Sequence, residues 1–334
     1  MVDVAFGTSR RAPGVRPLVS LETRLPRASA HRATAARAAR RVQLVVNPRA
    51  GDGFATVLGS HLVRQLRTHR YDVQLISADD PTRMREQIFR TGRGAHCLVV
   101  VGGDATLGEV AGAAMELQVP LLPVPAGAGN AFARSLGYQA TIPSALELLE
   151  RGVVQWIDAG RVGRSLFLAN QVFGFTEDVA PAIETAPAAP QHRLRRYLHY
   201  WRSAARSVAG TPLPALGVDV DGLRVADGAV MVVVANVPTY RGFAPLTPTA
   251  SPFDGFLDVF VVPPMAKTRL IALLFAFLVQ APGRWRHVRC RRASRVRVFG
   301  PDAATHELCV LPAAVPVLLR PSSRSLSPRL RLAS

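Results

Sequence analysis

Between residues 41 and 157 the apolar positions alternate between two patterns. "VQLVV" (42–46), "HCLVVV" (96–101) and "PLLPVP" (120–125) are short continuous apolar runs, as in strands buried on both faces, while "YDVQLIS" (71–77) alternates like a strand. Helical spacing separates them. "ATVLGSHLVRQLRTHR" (55–70) puts Val57, Leu58, Leu62, Val63 and Leu66 on one side, and "PTRMREQIFRTG" (81–92) opens on Pro and closes on Gly. A further helix is predicted from Leu107 to Leu117, a helical turn over "AFARSLG" (131–137), and another helix over "IPSALELLERG" (142–152). Repeated strand–helix alternation predicts an open α/β sheet of parallel strands covered by helices.

After Ile157 the pattern changes to short β-type runs: 165–175, 215–222, 228–237, 256–262, 294–300 and 314–320. Helical candidates fill two of the gaps, 192–208 and 266–280. This half is expected to be a mostly antiparallel β domain with inserted helices. The chain thus divides into residues 1–40, an α/β domain over 41–157, a β-rich domain over 158–321, and a tail over 322–334.

Composition changes this picture at the edges. The 334 residues carry a formal net charge of +18, and half of the chain (49%) is apolar, enough to bury a sizeable core. Residues 1–41 hold nine Arg against Asp3 and Glu22, without a stable apolar period, which reads as a flexible basic tail or an over-extended gene start. Seven Arg and no acid lie between Arg284 and Arg297, and Lys267 is the only lysine. Guanidinium-rich surfaces suit phosphates and anionic lipids; a solvated basic face is the plainer alternative. Nucleic acid is not expected, because no recognition motif or aromatic platform accompanies the charge. Cys97, Cys290 and Cys309 show neither metal spacing nor a disulfide framework. No apolar run approaches the length of a bilayer span and no signal peptide is visible, so the expected location is the cytoplasm.

Three Gly-rich loops follow strands of the first half: "NPRAGDG" (47–53), "GGDAT" (102–106) and "AGAGN" (126–130). In an open α/β sheet such loops converge at the carboxyl ends of the strands, where ligands collect. Glycine lets the backbone approach a phosphate, and the N–H groups of the following helix face the anion.

These loops, with "LANQVFGFTEDV" (168–179) and "TPTASPFDGFLDVFVV" (247–262), resemble in order the motifs of the diacylglycerol kinase catalytic-domain family, which includes sphingosine and ceramide kinases and bacterial lipid kinases. The resemblance spans residues 41 to 321. It implies an α/β nucleotide domain followed by a β-sandwich, and transfer of the γ-phosphoryl group of ATP, with Mg²⁺, to a lipid hydroxyl. On this resemblance Asn47, Gly51, Gly102, Gly103, Thr106, Glu109, Gly127, Gly129 and Asn130 are the nucleotide-site residues, and Asp104 helps organise metal and substrate. Asp178 matches an acid near the lipid head group. Asp254 and Asp258 match a turn that can hold a structural Mg²⁺, although Asp254-Gly255 is also an ordinary hairpin signal.

The sequence departs from the family in three places. Ala105 replaces a glycine, at a cost of roughly 1 kcal/mol or more if that residue has positive φ. Ala128 lacks a hydroxyl the family often has. The late Asp-Gly-Glu turn that carries the general base is absent; "THE" (305–307) is the best substitute, making Glu307 the candidate catalytic base and Asp302 the alternative. A pseudoenzyme that binds nucleotide or lipid is the rival reading. A soluble-substrate kinase such as an NAD kinase is a third, against which "NPRAGDG" and "DGFLDV" weigh. "HRLRRYLHYWRSAAR" (192–206) reads either as an interfacial amphipathic helix on anionic lipid or as a core helix with a basic face. The expected partner is a lipid substrate at a membrane surface, met peripherally at the inner face, and a homodimer is compatible with the reading.

Overall fold

The computed structural model describes residues 40–174, 206, 208, 210, 212–239, 247–278, 289–300 and 304–321. These described residues belong to one compact unit. Its first part runs β1 (Arg41–Val46), α1 (Phe54–Thr68), β2 (Asp72–Ser77), α2 (Pro81–Thr91), β3 (Cys97–Gly102), α3 (Asp104–Leu117), β4 (Leu121–Pro125), α4 (Ala131–Ser135) and α5 (Ile142–Arg151). Strands pair in parallel in the order β2-β1-β3-β4. The continuous apolar runs are the central strands: every residue of β3 is buried, and Val42 to Val46 of β1 likewise. Local chemistry sets the helix starts. Pro81 opens α2, and Asp80 caps it by accepting the Arg83 N–H at 3.0 Å. Helix α3 starts at Asp104, three residues before the apolar period, because Gly103 takes the cap position.

The second part contains β5 (Val153–Val162), β6 (Ser165–Phe167), β7 (Asn170–Gly174), β8 (Leu216–Val220), β9 (Leu223–Ala229), β10 (Met231–Ala235), β11 (Leu257–Val262), α6 (Lys267–Leu278), β12 (Arg289–Ala293), β13 (Arg295–Phe299) and β14 (Thr305–Leu319). Strands β12-β11-β10-β7 make an antiparallel four-stranded sheet. The run "MVVVA" of β10 is apolar throughout because both its faces are buried. Val232 and Val234 meet Phe173, Val218, Val296 and Leu308 between the sheets, while Met231, Val233 and Ala235 meet Leu270 and Leu273 of α6.

The two halves are not separate sheets. Strand β14 pairs with β13 and β5 in its first half, then continues beside β4 and the start of β5, so a single ten-stranded sheet runs through the 157/158 division. A bulge between Leu311 and Val315, with Ala313 at φ 45°, bends β14 between its two sets of neighbours. The segment 165–175 is likewise two strands, since β6 pairs with β5 and β7 with β10.

Candidate functional site

The three Gly-rich loops follow β1, β3 and β4, three neighbours in the parallel sheet, and meet at its carboxyl edge. The first loop passes through three successive left-handed residues, Gly51 (φ 61°), Asp52 (φ 51°) and Gly53 (φ 89°). Gly51 admits no side chain, because a Cβ there would collide with the Ala126 carbonyl oxygen of the third loop. Within the loop the Arg49 N–H donates to Asn47 Oδ1 at 3.0 Å and the Phe54 N–H to the Gly51 carbonyl at 2.9 Å. The N–H groups of Gly51, Asp52 and Gly53 find no acceptor among the described residues. They precede a 15-residue helix with no side-chain cap and no acid in its first turn. Adjacent unclaimed N–H groups at such a helix start suit an anion.

The second and third loops touch backbone to backbone. A Cβ on Gly127 would lie 2.7 Å from Gly103 Cα, and one on Gly103 would lie 3.3 Å from Gly127 Cα. Asn47 Nδ2 donates to Thr106 Oγ1 at 3.0 Å, and the Ala126 N–H donates to the Gly102 carbonyl at 2.9 Å. Asn130 closes the third loop on itself, accepting the Gly127 N–H at 2.9 Å and donating to the Gly127 carbonyl at 2.6 Å. Gly129 lies within that loop and Ala128 at its exposed tip; Glu109 is exposed on α3, one turn beyond Ala105. The structure therefore brings together Asn47, Gly51, Gly102, Gly103, Thr106, Gly127, Gly129 and Asn130, with the Asn47 and Asn130 amides and the Thr106 hydroxyl holding the loops together.

Asp104 has a specific task here. Its Oδ2 accepts the Ala131 N–H at 2.8 Å and its Oδ1 the Phe132 N–H at 3.0 Å, so the carboxylate caps α4 from the neighbouring loop. Ala105 is the second residue of α3, exposed, with ordinary helical φ. The alanine is unstrained.

Other anchors have no motif to announce them. Thr239 Oγ1 donates to the Ala131 carbonyl at 3.2 Å and lies 2.8 Å from Ser135 Oγ, tying α4 to the β-rich part. Asp158, buried in β5, accepts the Gly255 N–H at 2.7 Å and the Ala313 N–H at 2.8 Å, joining the 254–255 turn to the β14 bulge. A lone acid in the run "WIDAG" is the only sequence signal for it.

Asp254 lies near both Asp158 and Asp258. Thr249 Oγ1 donates to Asp258 Oδ1 at 2.6 Å, and Arg292 approaches Asp254 Oδ2 at 3.2 Å. Burial raises the Asp254 pKa, with the Asp258 and Asp158 charges adding to the rise; the Phe256 N–H and Arg292 oppose it. Burial, then the Asp258 charge, pushes the Cys290 thiol up to about 11. Asp258 Oδ2 is buried without a hydrogen-bond donor, and Asp254 Oδ2 has only the Arg292 guanidinium beside it, an arrangement that suits a cation. Yet no group of three or more His, Cys, Asp or Glu among the described residues is placed to hold a metal ion. Two carboxylates are enough for a cation that keeps most of its waters, and the Arg292 guanidinium supplies positive charge beside Asp254.

Glu307 lies in the β14 ladder rather than in a turn, opposite Arg297, with which it forms an ion pair at 3.0 Å; its side chain is 69% exposed. The left-handed turn of this strand is at Pro312-Ala313-Ala314, which carries no acid. Asp178, Asp302 and nearly all of the 192–206 segment lie outside the described residues. No helix among the described residues is long and apolar enough to cross a membrane.

Residues 41–162 match the model of the diacylglycerol kinase catalytic domain, and residues 180–317 match that of the YegS C-terminal NAD kinase beta sandwich-like domain. Residues 41–162 thus match a diacylglycerol kinase catalytic domain, and the chain as a whole is similar to lipid kinases that carry it. A diacylglycerol kinase of Mycobacterium tuberculosis is 27% identical over 296 residues, covering 84% of this chain and 94% of that one. Human sphingosine kinase 1 is 35% identical over 109 residues, 30% of this chain and 28% of its own length. A diacylglycerol kinase structure from Bacillus anthracis superposes with a TM-score of 0.64 at 21% identity, covering 84% of this chain and 98% of that one, which shows the shared fold. The α/β domain with a β-sandwich expected from sequence is the fold observed, and the family is one of lipid kinases, for which ATP is the implied phosphoryl donor.

Proposed function

We propose that the protein is an ATP- and Mg²⁺-dependent lipid kinase that phosphorylates a lipid hydroxyl, with diacylglycerol as the leading acceptor and a sphingoid base second. The observation that carries this reading is the trio of interlocked loops, with the three unclaimed N–H groups of Gly51, Asp52 and Gly53 at its edge. Phosphoryl transfer needs positioning and charge neutralisation more than covalent chemistry, and backbone donors in a rigid cradle provide both. In this reading the first loop holds phosphate oxygens, and Asn47 fixes the first loop to the second through Thr106. Asp104 holds α4, and with it the third loop, in place. Mg²⁺ accompanying ATP screens the phosphate charge.

The second reading, a weakened or inactive nucleotide-binding relative, is favoured by the carboxylates. Asp104 and Glu307 are both engaged, and the β14 turn lacks an acid. Purified protein with labelled ATP, Mg²⁺ and mixed micelles of diacylglycerol or sphingosine separates the two. Labelled phosphatidic acid is the expected product, with G51A abolishing it. ATP binding without transfer to any lipid establishes the second reading instead. If E307Q retains full activity, Glu307 is not the base.

A further inference from the structure

On the outward face of the large sheet, β5, β14 and β13 lie side by side. Their register sets Arg161 opposite Cys309, and Cys309 opposite Arg295. A small thiol thus separates two guanidinium side chains, one strand spacing of about 5 Å to either side. The neighbouring residues Val296 and Leu308 are in the core, so this row points away from it. One rung further along, Arg297 is paired with Glu307. These side chains line an open groove of about 700 Å³, with Gly163 and Pro312 also in its lining. None of its lining residues belongs to the three loops.

Arg161 and Arg295 have no carboxylate partner among the described residues, whereas Arg297 has one and Arg224 has two. Two cations flanking one small residue repel each other unless an anion lies between them. A guanidinium presents paired N–H donors that match the oxygens of a phosphate. Cys309 leaves room above it for a tetrahedral group, and Glu307 is held by Arg297 rather than competing for the two free guanidiniums. We propose that this groove is a phosphate-binding site, with Arg161 and Arg295 as its ligands and Cys309 as the floor between them. The phosphate comes either from an anionic lipid head group or from a soluble phosphate ester.

Cys309 provides a readout that does not involve phosphoryl transfer. The rate at which iodoacetamide alkylates Cys309 in the full-length protein is followed by peptide mass spectrometry, with Cys290 as the reference in each sample. Inorganic phosphate, glycerol phosphate and phosphatidylglycerol vesicles are the probes, each against sodium chloride of equal ionic strength. Slowing of Cys309 relative to Cys290 is expected, approaching about tenfold when the probe reaches roughly ten times its dissociation constant. Slowing by the soluble phosphates assigns the site to a free phosphate group; slowing by vesicles alone assigns it to a lipid head group. In R161Q/R295Q, which changes only surface side chains, the protection disappears. The proposal is overturned if no probe slows Cys309, or if the double variant is protected as well as the wild type.

Discussion

At Ala105 a residue that looked like a defect proves harmless, because its φ is that of any helical residue. Glycine there would add backbone freedom to the helix and remove nothing from the loop. A105G is expected to lower stability by about 0.5–1 kcal/mol in urea unfolding and to leave ATP affinity within twofold by calorimetry; a large gain in affinity would contradict the assignment. The strain lies elsewhere. Ala313 has φ 45°, a conformation that glycine adopts without penalty, while its N–H is held by Asp158. A313G is expected to stabilise the protein by about 0.4–1 kcal/mol in the same measurement. Asp254 has a direction of its own. Its pKa is raised above the ordinary 3.8, so the folded state holds this proton more tightly than the unfolded state. The associated stability is full below the ordinary value and is lost as pH rises through the raised one. The Tm of D254N minus that of the wild type should therefore become more positive from pH 4 to pH 7, and a flat difference would remove Asp254 from the account.

Among the elements, α4 depends most on a neighbour. It has five residues, too few to hold itself together, and its N-terminal N–H groups are satisfied by Asp104 from the start of α3. D104A is expected to cost about 1–2 kcal/mol; D104N should cost less, since an amide oxygen still accepts one of the two bonds. Equal stability of D104A and the wild type would mean that the carboxylate is not a cap. The element pattern was largely legible in the sequence where the order is local. Central strands of the first half are continuous apolar runs, and α1, α2 and α5 show their period and end residues. Strand β5 was not legible. Its exposed first half, Val153, Val154 and Trp156, breaks the burial pattern, and its pairing with β14 spans some 150 residues without a local mark.

For the whole molecule, the large sheet joins what the sequence divided at residue 157, because β14 serves both halves and only its pairings reveal this. The site shows the same limit. The three loops could be read from glycine and asparagine spacing, and their convergence followed from the parallel order of their strands. Which atoms remain available could not be read. Asp104 is occupied as a cap, Glu307 is paired on an open strand, and the unclaimed donors are backbone N–H groups that carry no side-chain signature. In the proposed function these donors of the first loop receive the phosphates of ATP. Hydrogen exchange of peptides covering residues 49–54, followed by mass spectrometry with and without ATP and Mg²⁺, tests it most directly. Exchange at Gly51, Asp52 and Gly53 should slow strongly on adding nucleotide, and G51A should show no such change. Unaltered exchange in this loop while nucleotide is bound would contradict it.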